Sequence, residues 1–424
     1  MSRISRRRFL QWSAVASGTA LLEGIPRWAG GADDETAGAA PTRARLVEQM
    51  SDEPIKIGII DPLTSPYRTS SIHDVHGAHV AVDLYNKQAG VLGRSVAIVE
   101  ADDASDPEMA RKAALKLIKE DRVDFLMGTF NGDCALAVSD VAKREHKLFM
   151  VTGAHLPALT EERCDAHMFV FMPSATMLSN AVAPYIVREY GPRWFMVTAD
   201  TLDGRSAEQA LAEACQAQKG EVLGSVKISF GATDFTEALT KAKAANPQTV
   251  ILNLYGWDLV HALKTCAKLE FVKDKIGIAG MIGGEQIGRP LGYADNAGIW
   301  GLVWDPKIKT EGSRRFIQAV VDKYNHTPTS RCYLGYAAAT QILEAIRRAG
   351  STETSAVVKA LEGHEFDGLK EGRSYFRAQD HQHVQDVLVG KAYGKELGLG
   401  HYQLLGTAAG DTLAGGNTSA VCRS

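Results

Sequence analysis

The sequence predicts an α/β protein of two similar lobes, each a parallel-type sheet flanked by helices, facing each other across a cleft. Three observations carry this. From Ile55 onward, short apolar runs alternate with amphipathic segments, the pattern of repeated βα units. The alternation comes in two successive series, broken near Phe169. Helices and strands then remain after the second series, to be shared between the lobes.

The first series opens with a strand over Ile55–Ile60, a polar loop and a helix from about His76 to Lys87. Val96–Glu100 follows as a strand, and Asp106-Pro107 opens a helix with Asp as N-cap and Pro in the first turn. Phe125–Met127, a helix over Ala135–Arg144 and the strand Leu148–Val151 complete it. In the second series Trp194–Val197 is a strand, and Ser206-Ala207-Glu208-Gln209 has the S-x-x-Q pattern of a capping box. Glu221–Ile228, Thr249–Leu254 and Ile276–Ala279 read as strands. Between them come a helix capped by Asp234-Phe235-Thr236-Glu237 and another over Asp258–Lys268. Helices return over Gly312–Tyr324, Leu334–Ala349 and Thr352–Leu361, before strands near Arg373–Phe376 and Val387–Lys391. The tail over 396–424 is rich in Gly, Ala and Thr and is expected to pack weakly.

Composition narrows the function. The chain has 424 residues, a formal net charge of −3 and no basic stripe interleaved with aromatics, so nucleic acid is not an expected partner. Six cysteines are widely spaced with no CxxC or CxxH pair, which argues against a structural zinc site or a redox dithiol. At the N-terminus, Ser5-Arg6-Arg7-Arg8-Phe9-Leu10 reads as a twin-arginine export motif, followed by a modest apolar stretch from Trp12 to Leu22. Ala37-Gly38-Ala39 offers a cleavage site, so residues 1–39 read as signal peptide and linker. A periplasmic location follows as the expectation. Gly280–Gly288 lacks the context of a dinucleotide site. No G-x-S-x-G elbow or H-E-x-x-H helix occurs, so no enzyme and no cofactor are expected.

Several stretches together resemble the type I periplasmic solute-binding proteins, in particular the branched-chain amino acid receptors of ABC transporters. Ile57-Gly58-Ile59-Ile60-Asp61-Pro62-Leu63-Thr64 is similar to the family's first strand and cleft loop. Gly77-Ala78 through Asn86, then Ala89-Gly90-Val91-Leu92-Gly93-Arg94, resembles its first helix and turn. Gly128-Thr129-Phe130-Asn131, Thr233-Asp234-Phe235 and Asp380-His381-Gln382 through Lys391 extend the likeness across roughly residues 55–395. The resemblance implies three crossings, near Met172-Pro173, Met281–Gly284 and Gly363–Asp367. Lobe 1 would then hold 55–172 and 283–364, and lobe 2 would hold 173–282 and 365–395. It also implies an exported, monomeric receptor that hands an amino acid or related small carboxylate to an ABC permease, after passage through the twin-arginine machinery. An aromatic acid, amide or urea is the alternative ligand, and an enzyme on the same scaffold is a more remote one.

The resemblance assigns the ligand's carboxylate to two lobe-1 loops, Asn131-Gly132-Asp133 and Thr152-Gly153-Ala154-His155. Helix N-termini there offer unpaired N–H groups to an anion. Gly132 stands where a Ser is usual, leaving only backbone donation, and Asp133 beside it is awkward for an anion. In lobe 2 Asp203 and Asp258 would meet the ligand's ammonium and Trp257 would stack on the ligand, with Asp258 alternatively only a helix cap. The family likeness also suggests that Cys164 pairs with Cys422. His73, His76 and His79 recur every three residues and could share a metal, the plainer reading being a solvated helix start; no metal is assigned.

Overall fold

A computed structural model describes residues 51–291, 295–393, 402–413 and 422. The twin-arginine motif and the candidate cleavage site lie outside these residues.

The first lobe is built on five parallel strands in the order β2-β1-β3-β4-β5. These are β1 (Ser51–Asp61), β2 (Arg94–Asp102), β3 (Phe125–Gly128), β4 (Phe149–Val151) and β5 (Met168–Val170). Helices α1 (Arg68–Asn86), α2 (Pro107–Lys119) and α3 (Gly132–Arg144) connect them. Asp106 caps α2 as its sequence position suggests, accepting from the Met109 N–H at 2.8 Å. Strands β3, β4 and β5 are buried throughout, as expected of a parallel sheet covered on both faces.

The second sheet runs β14-β13-β10-β9-β8-β6-β7. Its parallel part comprises β6 (Arg193–Ala199), β7 (Glu221–Ile228), β8 (Thr249–Asn253), β9 (Gly277–Gly280) and β10 (Ala297–Leu302). Helices α4 (Ala175–Tyr190), α5 (Leu202–Ala217), α6 (Thr236–Ala244), α7 (Gly256–Lys268) and the short α8 (Glu285–Gly288) accompany it. After β10 the chain returns to the first lobe as α9 (Glu311–Tyr324), α10 (Ser330–Ala349) and α11 (Thr354–Leu361); α10 packs along α1. The hairpin β11 (Ser374–Phe376) and β12 (His383–Gln385) leads to β13 (Val387–Tyr393), then β14 (Gln403–Ala408) and a last turn α12 (Gly410–Leu413).

Four expectations need correction here. Residues 297–302, assigned by resemblance to lobe 1, form a strand of the second sheet, because Ile299–Leu302 are buried and paired with β9 and the antiparallel β13. The second crossing therefore follows Leu302 rather than Met281. The tail is not loose throughout: β14 adds an antiparallel edge to β13. Ser206 does not cap α5, because Thr201 does, accepting from the Gly204 N–H at 3.0 Å. Similarly Phe235, not Asp234, is the N-cap of α6, while Asp234 accepts from the Thr236 N–H at 2.9 Å. The cysteine pairing holds. Cys164 and Cys422 form a disulfide with Cα atoms 4.8 Å apart.

At the crossings the chain is bound by buried polar groups. Lys370 is 6 % exposed and its ammonium donates to the Val303 carbonyl (2.6 Å), Gln385 Oε1 (2.7 Å) and the Asp386 carbonyl (2.6 Å). Gln382 Nε2 reaches the Met172 carbonyl at 2.9 Å, and Gln385 Nε2 the Phe171 carbonyl at 3.2 Å. One network thus joins all three crossings. Burial pulls Lys370 down to about 7, against the favourable charge of Asp386. A lysine depressed in the folded state binds fewer protons than in the unfolded chain between that value and its ordinary one, so stability there rises with pH. Lys370→Met should lose about 3 kcal/mol, because the buried Val303 and Asp386 carbonyls lose this donor and Gln385 Oε1 keeps only the Tyr333 hydroxyl. In urea melts it should also lose the wild-type gain in stability between pH 7 and 10; an unchanged pH slope would contradict the assignment.

Candidate functional site

In each sheet the strand order reverses at one point, between β1 and β3 in the first and between β6 and β8 in the second. Ligands of open α/β sheets bind beyond the carboxyl ends of strands at such points. The loops that follow these strands face one another and enclose a cavity of about 210 Å³.

Its wall is largely apolar and aromatic. Tyr67, just before α1, stacks on Phe130 with ring centroids 4.5 Å apart and meets Phe230 of the second lobe at 4.6 Å. Gly256 allows this approach. Its φ is +53°, and a Cβ there would stand 2.4 Å from the Tyr67 ring. Met172, Leu254 and Ile287 extend the apolar surface.

Polar groups enter from helix N-termini. Asn131 caps α3, accepting from the Cys134 N–H at 2.9 Å. Asp203, in the first turn of α5, reaches across and accepts from the Gly132 N–H at 2.5 Å through Oδ2. A lobe-2 carboxylate therefore stands on the first free amide of a lobe-1 helix, where the partial positive charge of the helix favours an anion. His155 lies opposite Tyr255, with Nε2 3.0 Å from the phenol oxygen. Tyr255 donates to Asn253 Oδ1 at 2.8 Å, so the remaining bond requires a proton on His155 Nε2. Burial lowers the His155 pKa, keeping the imidazole neutral, and the Asp203 charge opposes this less strongly.

The cation of the site is Arg331, in the first turn of α10 and 5 % exposed. Its Nη2 donates to Asp74 Oδ2 at 3.1 Å, and its guanidinium carbon lies 4.9 Å from the Phe130 ring centre. Thr152 also donates its hydroxyl to Asp74. Gly153 is small by necessity: a Cβ would come within 2.6 Å of Arg331 Nη1. Behind the guanidinium lies Asp61, fully buried. Burial first, and then the charge of Asp74, raise the Asp61 carboxyl well above its usual range, so Asp61 is the acid that retains a proton. Arg331 and Asp74 are then a charged pair beside a protonated acid.

The sequence-derived residues divide. Asn131, Asp133, Gly153, His155 and Asp203 line the cavity. Asp133 is raised by burial, then by the nearby Asp203 charge. Gly132 contributes its amide to Asp203, while Thr152 and Ala154 are fully buried behind the wall. Trp257 and Asp258 are not part of the lining. The residue before Gly256, Tyr255, takes that place, because Gly256 begins α7 and turns the next side chains away. Trp257 lies against His261, ring centroids 5.9 Å apart. Asp258 holds a loop instead, accepting from the Gly231 N–H at 3.0 Å; burial raises it to about 6. Tyr67, Phe230 and Arg331 carried no motif in the sequence, and Phe130 stood only within the family-like Gly128–Asn131 stretch without a role of its own.

Two α/β lobes with a cavity between their switch points define a cleft-type binding protein. The sequence profile described as periplasmic binding protein matches residues 54–396, and the chain belongs to that family. Leu/Ile/Val-binding protein homolog 3 of Brucella melitensis is 27 % identical over 321 residues, covering 72 % of this chain and 83 % of that protein. The crystal structure of a periplasmic binding protein from Burkholderia mallei superposes with a TM-score of 0.79 at 22 % identity, covering 88 % of this chain and 98 % of that one. A solute-binding protein of R. palustris in complex with benzoate gives 0.77 at 20 % identity, covering 84 % and 97 %.

Proposed function

We propose that this chain is the exported, monomeric receptor of an ABC importer, capturing a small carboxylate and delivering it to the membrane permease. An amino acid with an apolar side chain is the ligand class that fits best. The observation that carries this reading is the pair of opposite charges around an aromatic cavity: Arg331 enters from the first lobe and Asp203 from the second. A zwitterion laid between them offers its carboxylate to the guanidinium and its ammonium to the carboxylate, with its apolar part against Tyr67 and Phe130. Only the closed arrangement lets both lobes touch such a ligand, so binding shifts the open–closed equilibrium toward the form a permease would recognise. Capture and release, not turnover, is the activity. Export through the twin-arginine motif at Arg6-Arg7 and residence in the periplasm complete the reading.

A second reading, an aromatic acid without an ammonium group, is favoured by one observation. Asp203 already has a donor in the Gly132 N–H and does not require a ligand cation. Calorimetric titration of leucine, phenylalanine, their deaminated acids and benzoate separates the two. Amino acids should bind tightest, and Asp203→Asn should weaken them by about 2–5 kcal/mol while leaving the deaminated acids nearly unaffected. Tightest binding of benzoate-like acids, unaltered in Asp203→Asn, would replace the first reading with the second.

A further inference from the structure

On the first lobe, apart from the cavity lining, three histidines converge. His73 and His76 lie three residues apart on α1 and so share a helix face. His326 follows the end of α9, where Asn325 turns the chain with a φ of +54°. One ring nitrogen from each histidine lies within 4.8 Å of the others. His326 Nε2 and His76 Nδ1 are 3.4 Å apart, and Tyr324 stacks on the His76 ring at 3.9 Å, fixing its orientation. His73 Nδ1 is buried and has no hydrogen-bond partner among the described residues. That nitrogen is the second, independent sign that something is to be bound here.

We infer that His73, His76 and His326 form a binding site for one divalent transition-metal ion of the zinc type. Tetrahedral coordination at about 2.0–2.1 Å sets imidazole nitrogens about 3.3 Å apart. The His76–His326 pair already spans such an edge, and rotation of the His73 side chain brings in the third corner, leaving the fourth to water. Three imidazoles without a carboxylate or thiolate suit zinc, nickel or copper and not magnesium or calcium. His79, the next histidine of the sequence series, is excluded, because its Nε2 is engaged with Glu100 at 2.7 Å. Neighbouring cations are engaged elsewhere: the Arg289 guanidinium donates to the Thr327 carbonyl, and Lys323 pairs with Asp83 at 2.7 Å. The spacing i, i+3 was visible in the sequence; the third ligand, some 250 residues away, was not.

The test is a zinc titration of the tag-free, chelator-treated protein by calorimetry, repeated with cobalt to read its absorption bands. One ion per chain is expected, with cobalt bands of a nitrogen-ligated, four-coordinate site. His326→Gln and His73→Gln should each weaken binding by more than the 10–100-fold that loss of an outer-shell partner causes. His326 lies in a loop, so its variant should melt like the parent, and His79→Gln should bind zinc unchanged. Absence of zinc binding, or binding that survives His326→Gln, or binding lost equally in His79→Gln, would overturn the site.

Discussion

Arg331→Met is expected to lower folding stability by roughly 3–5 kcal/mol and to weaken ligand capture by about two orders of magnitude. The two losses have separate causes. Stability falls because Asp74, fully buried beside the protonated Asp61, loses the guanidinium that offsets its charge. A carboxyl raised in the folded state binds more protons than in the unfolded chain, so the variant's stability should fall as pH rises through the acid range and be least impaired at low pH. Affinity falls because the cavity loses its cation. Arg331→Met combined with Asp74→Asn distinguishes the effects: it removes the orphaned charge and should regain most of the stability without regaining binding. Urea melts and calorimetry on both variants read this out. A double variant that binds as tightly as the parent would reduce Arg331 to a counter-ion for buried acids.

Cys164→Ser should cost roughly 5 kcal/mol in the chain-entropy model, since the disulfide closes a loop spanning 258 residues. Cys164 lies between β4 and β5 of the first lobe, whereas β14 belongs to the second sheet, so the tail is covalently returned to the lobe it has left. Reduction should therefore destabilise the protein and make the segment after Ala408 the first site of proteolysis. The remaining cysteines, 134, 215, 266 and 332, are buried and unpaired, so reshuffling is not expected to mask the effect. Equal melting temperatures with and without reductant would contradict it.

Much of the architecture was legible because local signals and tertiary demands agree. Asp106-Pro107, the apolar run of β8 and the βα rhythm of the first lobe each need only neighbouring residues to be read. The lobe-1 site loops were legible too, since they follow strand ends. What escaped depends on distant packing. β10 is recognisable as a strand of the second sheet only once β13 lies beside it. Helix α4, with Pro184 inside it and buried apolar residues on its inner face, lacks the strong amphipathic rhythm that marks α3. Arg331 is one arginine in a helix turn, and only Asp74, about 257 positions earlier, makes it special. Trp257 misled because large aromatics attract attention, whereas the backbone at Gly256 decides that Tyr255 faces the cavity.

The Lys370 network has a mechanical consequence. Three separate crossings would let the lobes twist, slide and bend independently. Tied together at Val303, Gln385, Asp386, Phe171 and Met172, they act as one pivot. Motion about a single pivot has one principal coordinate, an opening angle, and every event in the cavity is converted into that angle. A partner that reads the angle needs no contact with the ligand, so one docking surface can serve whatever solute the cavity walls are shaped to hold.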